Sequence, residues 1–221
     1  MKKNIPLGIL FGLLLSVAML AISASSTAKS ASFYLSQNDK YHIVAAAGFE
    51  SVDHYIRSYN FVTDSFSGKE VESATIENNQ IFTKAQLAGF KKQGQILTAV
   101  IISSLTVALA IAACVIVWAQ KQKRAEKEYY QGLFFFGISS FITSFVIVAA
   151  LNIVKFYIPP ACFAPTQAGF SANLFSPEFF ADFLTGVTRF FNFLTLIPLF
   201  ISYLFIKRRT KAHPNDDYLY Q

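Results

Sequence analysis

Polar side chains recur on one face of an apolar segment near the end of the chain. Glu178, Asp182, Thr185, Arg189 and Asn192 are spaced by three or four residues, so they share one side of a helix. Carboxylate, guanidinium and amide groups in this arrangement could bind a polar head group or stabilise one another. Because an unpaired arginine inside a membrane is costly, we expect Arg189 to face other helices and to pair with Asp182, Glu178 or a group on another helix.

A second set of polar residues ends the preceding apolar segment, and only a short loop separates the two segments, so we expect them to be neighbours. One polar pocket could then hold both sets. The candidate ligand-binding residues are Asn152, Lys155, Glu178, Asp182, Arg189 and Asn192. Two interpretations stay open. The pocket binds a lipid head group or a lipidated peptide terminus, or it is an ion-pair network that ties two helices together.

Groups suited to acid–base catalysis are scarce in this sequence. The three histidines are His42, His54 and His213. His54 follows Asp53 and is the candidate base, although we interpret it as an exposed histidine on the polar face of a surface helix. The sequence contains no serine nucleophile elbow, HExxH or Walker motif, so the catalytic residues stay unknown. Neither a metal nor another cofactor is expected.

The composition is that of a membrane protein. Of the 221 residues, 53% are hydrophobic and 24 are phenylalanine, and soluble domains are less apolar. A helix needs about 20 apolar residues to cross a bilayer. Four segments approach or reach that length, namely 5–23, 95–119, 132–156 and 183–206. We therefore predict a single integral membrane domain, residues 1–221, with an all-α, four-transmembrane-helix bundle. Short extracytoplasmic helices in the outer segment 24–94 cap its outer side, together with the outer loop 157–182.

Basic residues indicate the orientation of this bundle. They cluster before the first span, between the second and third spans, and after the fourth. The positive-inside rule then places both termini in the cytoplasm of a multi-pass cell-membrane protein. The basic clusters at the ends of the spans account for the net charge of +6, so nucleic acid is not an expected partner. Membrane lipids are expected partners, and a lipoprotein or another membrane protein is a further candidate. We interpret the first span as a retained anchor, with a cleaved signal peptide as the alternative.

Local patterns predict two helices in the outer segment. Apolar residues at helical spacing favour one helix over Tyr41–Tyr59. Thr83 and Gln86 fit a capping box, and Phe82 with Leu87 fits a hydrophobic staple. A second helix should therefore begin directly after Thr83 and continue into the second span.

Several short motifs in this layout resemble those of a known family. They are Phe33-Tyr34, Tyr55–Asn60, Phe82–Lys92, Lys127–Tyr130, Asn152–Phe156 and Pro177–Phe180. Their order along the chain resembles a family of bacterial four-span integral membrane proteins that includes lipoprotein intramolecular transacylase. The resemblance covers nearly the whole chain in layout.

The resemblance implies an enzyme that moves an acyl chain from the glycerol of a lipid-modified cysteine to the amine of that cysteine. It also implies one histidine at about Gly89 and another near Pro159–Cys162, and neither place has one. We therefore expect a divergent transacylase-like bacterial protein that is non-catalytic and binds a lipid or a lipidated partner at the outer leaflet. Two alternatives stay open: a lipoprotein acyltransferase, and a tetraspan scaffold for other proteins.

The predicted topology can be checked by cysteine labelling in a background in which both native cysteines are replaced by serine. A membrane-impermeant thiol reagent should label Ser67→Cys in intact cells, because residues 23–95 are predicted to lie outside. The same reagent should label Thr210→Cys only after lysis. Labelling of Thr210→Cys in intact cells would overturn the topology.

Overall fold

The computed structural model describes residues 5–72, 74–76, 79–121, 125–157 and 177–212. Within these ranges the chain forms α1 (Ile5–Ala28), α2 (Ala31–Tyr41), α3 (Ile43–Ala47), α4 (Val52–Phe66), β1 (Ala74–Ile76), β2 (Asn79–Phe82), α5 (Lys84–Lys121), α6 (Ala125–Tyr157) and α7 (Pro177–Ala212).

Four of these helices are long and apolar enough to cross a membrane. The spanning stretches are Gly8–Ala28, Lys84–Cys114, Phe135–Val154 and Glu178–Leu204. Large apolar side chains remain exposed on them, among them Leu109 at 69% and Phe145 at 71%. A soluble protein would bury such side chains, whereas a lipid-facing helix surface leaves them outward. The predicted fold class, an all-α bundle with four spans, is confirmed.

The predicted helix over Tyr41–Tyr59 is wrong, because the chain is broken there at two places. His42 and Gly48 have positive φ angles of 51° and 73°, and a left-handed residue ends a right-handed helix. A new helix then starts after Ser51, whose hydroxyl accepts a hydrogen bond from the backbone N–H of His54 at 3.3 Å. The apolar spacing thus belongs to three short helices instead of one.

Segment 24–94 also contains a two-stranded antiparallel hairpin, which was not predicted from the sequence. Strands β1 and β2 pair Thr75 with Gln80 and Ile76 with Asn79. Ile76 and Ile81 are buried, so the hairpin has one apolar face. Each strand is too short for period-two alternation to stand out from the surrounding sequence.

The start of α5 confirms the predicted capping box. The Thr83 hydroxyl accepts a hydrogen bond from the backbone N–H of Gln86 at 3.3 Å, and the Gln86 side chain accepts one from the backbone N–H of Thr83 at 2.8 Å. Phe82 and Leu87 are both buried in the same apolar cluster, as a hydrophobic staple requires. Two otherwise unpaired N–H groups are therefore satisfied where α5 begins.

The described residues group into two compact units. The first lies within residues 1–21, 100–150 and 190–221, and the second within residues 22–99 and 151–189. In the first unit, small residues let helices approach closely. The Ser139 hydroxyl donates a hydrogen bond to the carbonyl of Ile9 at 3.1 Å, and a methyl group added at Gly12 would lie 3.0 Å from that hydroxyl oxygen. This is the usual packing of helices in lipid, where small and hydroxyl side chains line the contacts.

The second unit is built around buried aromatic side chains. The rings of Tyr34 and Tyr59 stack with centroids 4.9 Å apart, and Phe179 packs against the ring of Tyr34. The Tyr34 hydroxyl donates to the carbonyl of Ala28 at 3.0 Å, and the Tyr55 hydroxyl donates to the carbonyl of Tyr34 at 2.8 Å. These two hydrogen bonds allow the phenols to be buried without an unsatisfied polar group. Helices α2, α4 and α7 are held together at this cluster.

Gly94 permits a close approach between α5 and the end of α4. A Cβ at this position would overlap the backbone carbonyl of Phe66, and backbone atoms cannot be moved aside as a flexible side chain can. Gly89 lies on the same helix, is exposed, and has no atom within 4 Å of an added Cβ. The two glycines therefore differ only in their surroundings.

We predict opposite outcomes for the same substitution at these glycines. Gly94→Ala should lower the free energy of unfolding by about 1–3 kcal/mol or prevent folding, because it forces α4 away from α5. Gly89→Ala should leave stability unchanged or raise it by up to about 1 kcal/mol through helix propensity. Thermal unfolding of both variants in the same detergent, followed by circular dichroism, measures the difference. Equal stability of the two variants would contradict the close approach.

Candidate functional site

Asp182 is the centre of a polar cluster that joins α7 to α2 within the second unit. Its carboxylate accepts hydrogen bonds from Lys40 at 2.8 and 3.1 Å, from Tyr41 at 3.0 Å and from Gln37 at 3.2 Å. Three donors from consecutive turns of one helix thus converge on one carboxylate. Gln37, Lys40 and Tyr41 were not among the site residues predicted from the sequence.

The cluster combines an exposed ion pair with a buried amide. The side chain of Lys40 is 55% exposed and that of Asp182 is 22% exposed, whereas Gln37 is almost fully buried at 3%. The hydrogen bond to Asp182 raises the pKa of Lys40 above its usual value. A group with a raised pKa stabilises the fold below its unfolded pKa and loses that contribution as the pH rises through the folded value. This contribution is therefore present at neutral pH and lost only in strong alkali.

The ion pair expected between Arg189 and Asp182 does not form among the described residues. Asp182 pairs with Lys40 instead, because α2 brings that ammonium directly against the carboxylate. Arg189 lies seven residues farther along α7, about 10 Å down the helix axis. Glu178 is more distant still, so neither carboxylate on this helix is within reach of the guanidinium. Arg189 is exposed and has no salt bridge to a described residue.

The remaining predicted site residues occupy three different places. Glu178 is exposed in the first turn of α7, and Asn192 is exposed farther along the same helix. Asn152 is exposed near the end of α6. Lys155 belongs to α6, but its side chain lies outside the described part of the chain. That these residues bind one ligand together stays a prediction.

The histidines of the described chain lie among the short helices of residues 31–66. His42 is exposed at the junction of α2 and α3, and His54 is half-buried in the first turn of α4. Gly89, where the family resemblance implies a histidine, is an exposed helical position with open space around it. The second implied histidine and His213 fall outside the described residues. Among the described residues, no group of histidine, cysteine and carboxylate side chains could hold a metal ion.

These observations define the class of protein. The chain is a multi-pass membrane protein with four span-length helices and a compact unit of short helices and one hairpin.

Comparison with solved structures gives this fold a counterpart. It is similar to the membrane-integral lipoprotein intramolecular transacylase Lit from Bacillus cereus, with a TM-score of 0.73 over 94% of this chain and 98% of that chain, at 11% sequence identity. A structure of the same transacylase with one histidine replaced by arginine gives a TM-score of 0.70 over 95% of this chain and 94% of that chain, at 12% identity. No family model and no curated protein matches the sequence.

At this level of sequence identity, the likeness shows the fold alone. It supports the sequence-based resemblance in layout, because the match extends over nearly the whole of both chains. The reaction and the residues that would perform it do not follow from a shared fold. Function depends on the side chains that this fold carries.

The Asp182 cluster leads to a stability prediction. Asp182→Ala should lower the free energy of unfolding by about 1–3 kcal/mol, because the amide of the buried Gln37 and the hydroxyl of Tyr41 lose their acceptor. Asp64→Ala is a matched control, since it breaks a more exposed pair with Lys69 and should cost about 1 kcal/mol or less. Denaturant unfolding in detergent compares the two variants. Equal losses would mean that the cluster is no more than a surface ion pair.

Proposed function

We propose that this protein binds a lipid or a lipidated membrane partner at the outer leaflet and does not catalyse acyl transfer. In this proposal both termini face the cytoplasm, and the segment 24–94 and the loop 157–182 lie on the extracytoplasmic side. One observation carries the proposal. Arg189 is an exposed guanidinium on a span-length apolar helix, and no described residue supplies its counter-charge.

A charge such as that of Arg189 needs a counter-charge when it lies in a membrane span. A charged side chain in a span either pairs within the protein or finds its partner in the surroundings. Asp182 is already occupied by Lys40, so the partner of Arg189 must come from elsewhere. The phosphate of a lipid, or of a lipid-linked partner, supplies an anion that a guanidinium binds in a two-pronged geometry. Glu178, exposed in the first turn of the same helix, provides an acidic group nearer the membrane surface.

The chain has no histidine at either place where the family resemblance implies one. Transfer of an acyl group to an amine needs a group that takes up the amine proton near neutral pH. Open space at Gly89 shows that the structure could hold a larger side chain where the resemblance implies histidine, yet the chain has none there. His54 lies instead on α4, where its backbone N–H belongs to the helix cap.

The second candidate function is lipoprotein acyl transfer. The observation in its favour is the fold shared with the transacylase over nearly the full length of both chains. In that case a base other than the implied histidines, such as His54 or Lys155, would have to act.

Mass spectrometry of a reporter lipoprotein separates the two candidates. The protein is expressed in a host without such a transacylase, and the amino-terminal cysteine of the reporter is analysed with and without it. We expect no difference in acylation. An N-acylated cysteine with a lyso-glycerol arm, present only with this protein, would show that it is an enzyme. His54→Ala and Lys155→Ala would then identify the base.

Lipid retention tests the binding half of the proposal. Native mass spectrometry of the purified full-length protein should show bound phospholipid or lipopeptide, and Arg189→Leu should retain about tenfold less, because one charge-assisted contact is lost. Arg57→Leu is the matched control, since Arg57 is exposed on α4, outside the span-length helices. The proposal fails if wild-type protein retains neither ligand, or if the two variants behave alike.

A further inference from the structure

A cleft of about 720 Å³ opens in the second unit between the end of α4, the loop that follows it, and the first turns of α5. Its volume falls within the range of small-molecule sites. The polar residues that line it are Ser65, Lys69, Glu70, Glu72, Lys84 and Lys91. None of them belongs to the sequence-predicted pocket, so the cleft is a separate feature of the molecule.

Ser65 gives the first indication that the cleft takes a ligand. It lines the cleft, is only 2% exposed, and its hydroxyl oxygen has no hydrogen-bond partner. Buried hydroxyl groups in folded proteins are almost always paired, and an unpaired one calls for a specific reason. Two other buried hydroxyls in this unit bond to a carbonyl of their own helix, Thr27 to Ser23 at 2.9 Å and Ser58 to Tyr55 at 2.7 Å. A polar ligand group in the cleft would supply the missing partner of Ser65 once its side chain rotates, because the hydroxyl oxygen itself is closed to solvent.

The charges around the cleft indicate the chemistry of that ligand. Lys69 pairs with Asp64 at 2.7 Å, and Lys91 lies 3.9 Å from Glu70. Lys84 and Glu72 have no ion-pair partner among the described residues. One cation and one anion are therefore available. A simple anion would be repelled by the glutamates, and a simple cation by the lysines. A group that carries both a negative and a positive charge can pair with Lys84 and with Glu72.

The position of the cleft favours a lipid as the source of that group. Lys84, Leu87, Ala88 and Lys91 form its wall on α5, and the same helix continues as a span-length apolar segment. The first turns of such a helix lie at the depth of lipid head groups, where lysines are favoured. Phospholipids with an ammonium and a phosphate in one head group have the required pair of charges.

We propose that this cleft binds the head group of a zwitterionic phospholipid, with Lys84 on the phosphate, Glu72 on the ammonium, and the Ser65 hydroxyl bonded to a phosphate oxygen. This site rests on the proposed function only in that its ligand is a membrane lipid. It does not involve Arg189.

The test is a titration of the full-length protein with palmitoyl-oleoyl phosphatidylethanolamine or the corresponding phosphatidylglycerol, followed by native mass spectrometry. Lys84→Ala should weaken binding of both lipids about tenfold, because both contain the phosphate. Glu72→Gln should weaken binding of phosphatidylethanolamine by a similar factor and leave phosphatidylglycerol unchanged or improved. Lys92→Ala is the matched control, since Lys92 is exposed on the same helix but does not line the cleft.

Ser65→Ala gives a second readout that a purely structural serine would not give. Removing an unpaired buried hydroxyl should leave the thermal stability of the lipid-free protein unchanged or raise it. The same change should weaken binding of phosphatidylethanolamine several-fold. Stability and binding should therefore move in opposite directions, or binding alone should fall.

Three outcomes would overturn the proposal. The first is that phosphatidylethanolamine does not bind. The second is that it binds wild type and all the cleft variants equally. The third is that a zwitterionic peptide such as triglycine occupies the cleft in its place. Each of these leaves the effect of Arg189→Leu on lipid retention intact. Loss of the Arg189 effect, with the cleft variants behaving as expected, would instead overturn the proposed function at Arg189 alone.

Discussion

Hydrocarbon offers no hydrogen-bond partner, and this constraint explains most polar contacts in the long helices of this protein. Hydroxyl side chains bond back to a carbonyl one turn earlier. Ser16 bonds to Gly12 at 2.9 Å, Ser144 to Ser140 at 2.7 Å, and Thr188 to Leu184 at 2.8 Å. A side chain that cannot be satisfied within its own helix needs a neighbour, a lipid or a ligand. Arg189 has no salt bridge to a described residue, and the buried hydroxyls of Ser140 and Ser202 on the long helices, like that of Ser65 on α4, have no hydrogen-bond partner among the described residues.

The shared fold does not by itself give the function of this chain. Nearly the whole length follows the architecture of a lipoprotein transacylase, yet the helical position that the resemblance assigns to a histidine is an exposed glycine. A membrane fold of this kind is maintained by helix packing and by the aromatic cluster, neither of which requires a catalytic group. The scaffold can therefore persist while the chemistry at one position changes, which is why the proposed function rests on local charges.

Local sequence rules predicted much of this architecture, and they failed where distant contacts decide the structure. The capping box at Thr83 and the four apolar spans depend on neighbouring residues, and both are confirmed. The pairing of Lys40 with Asp182 joins positions 142 residues apart, and no spacing within one helix could reveal it. The break at His42 was missed because a left-handed histidine leaves no mark as clear as a proline.

The buried tyrosines of the second unit have a consequence for its response to alkali. Burial raises the pKa of Tyr34 and Tyr55 above the usual value of a phenol, and each hydroxyl donates a hydrogen bond to a carbonyl. Ionisation of either ring is therefore disfavoured while the cluster is closed, whereas tyrosines on the surface ionise near pH 10. The ultraviolet absorbance of phenolate should therefore appear in two stages, an immediate one and a slow one. The rate of the slow stage is the rate at which the aromatic cluster opens.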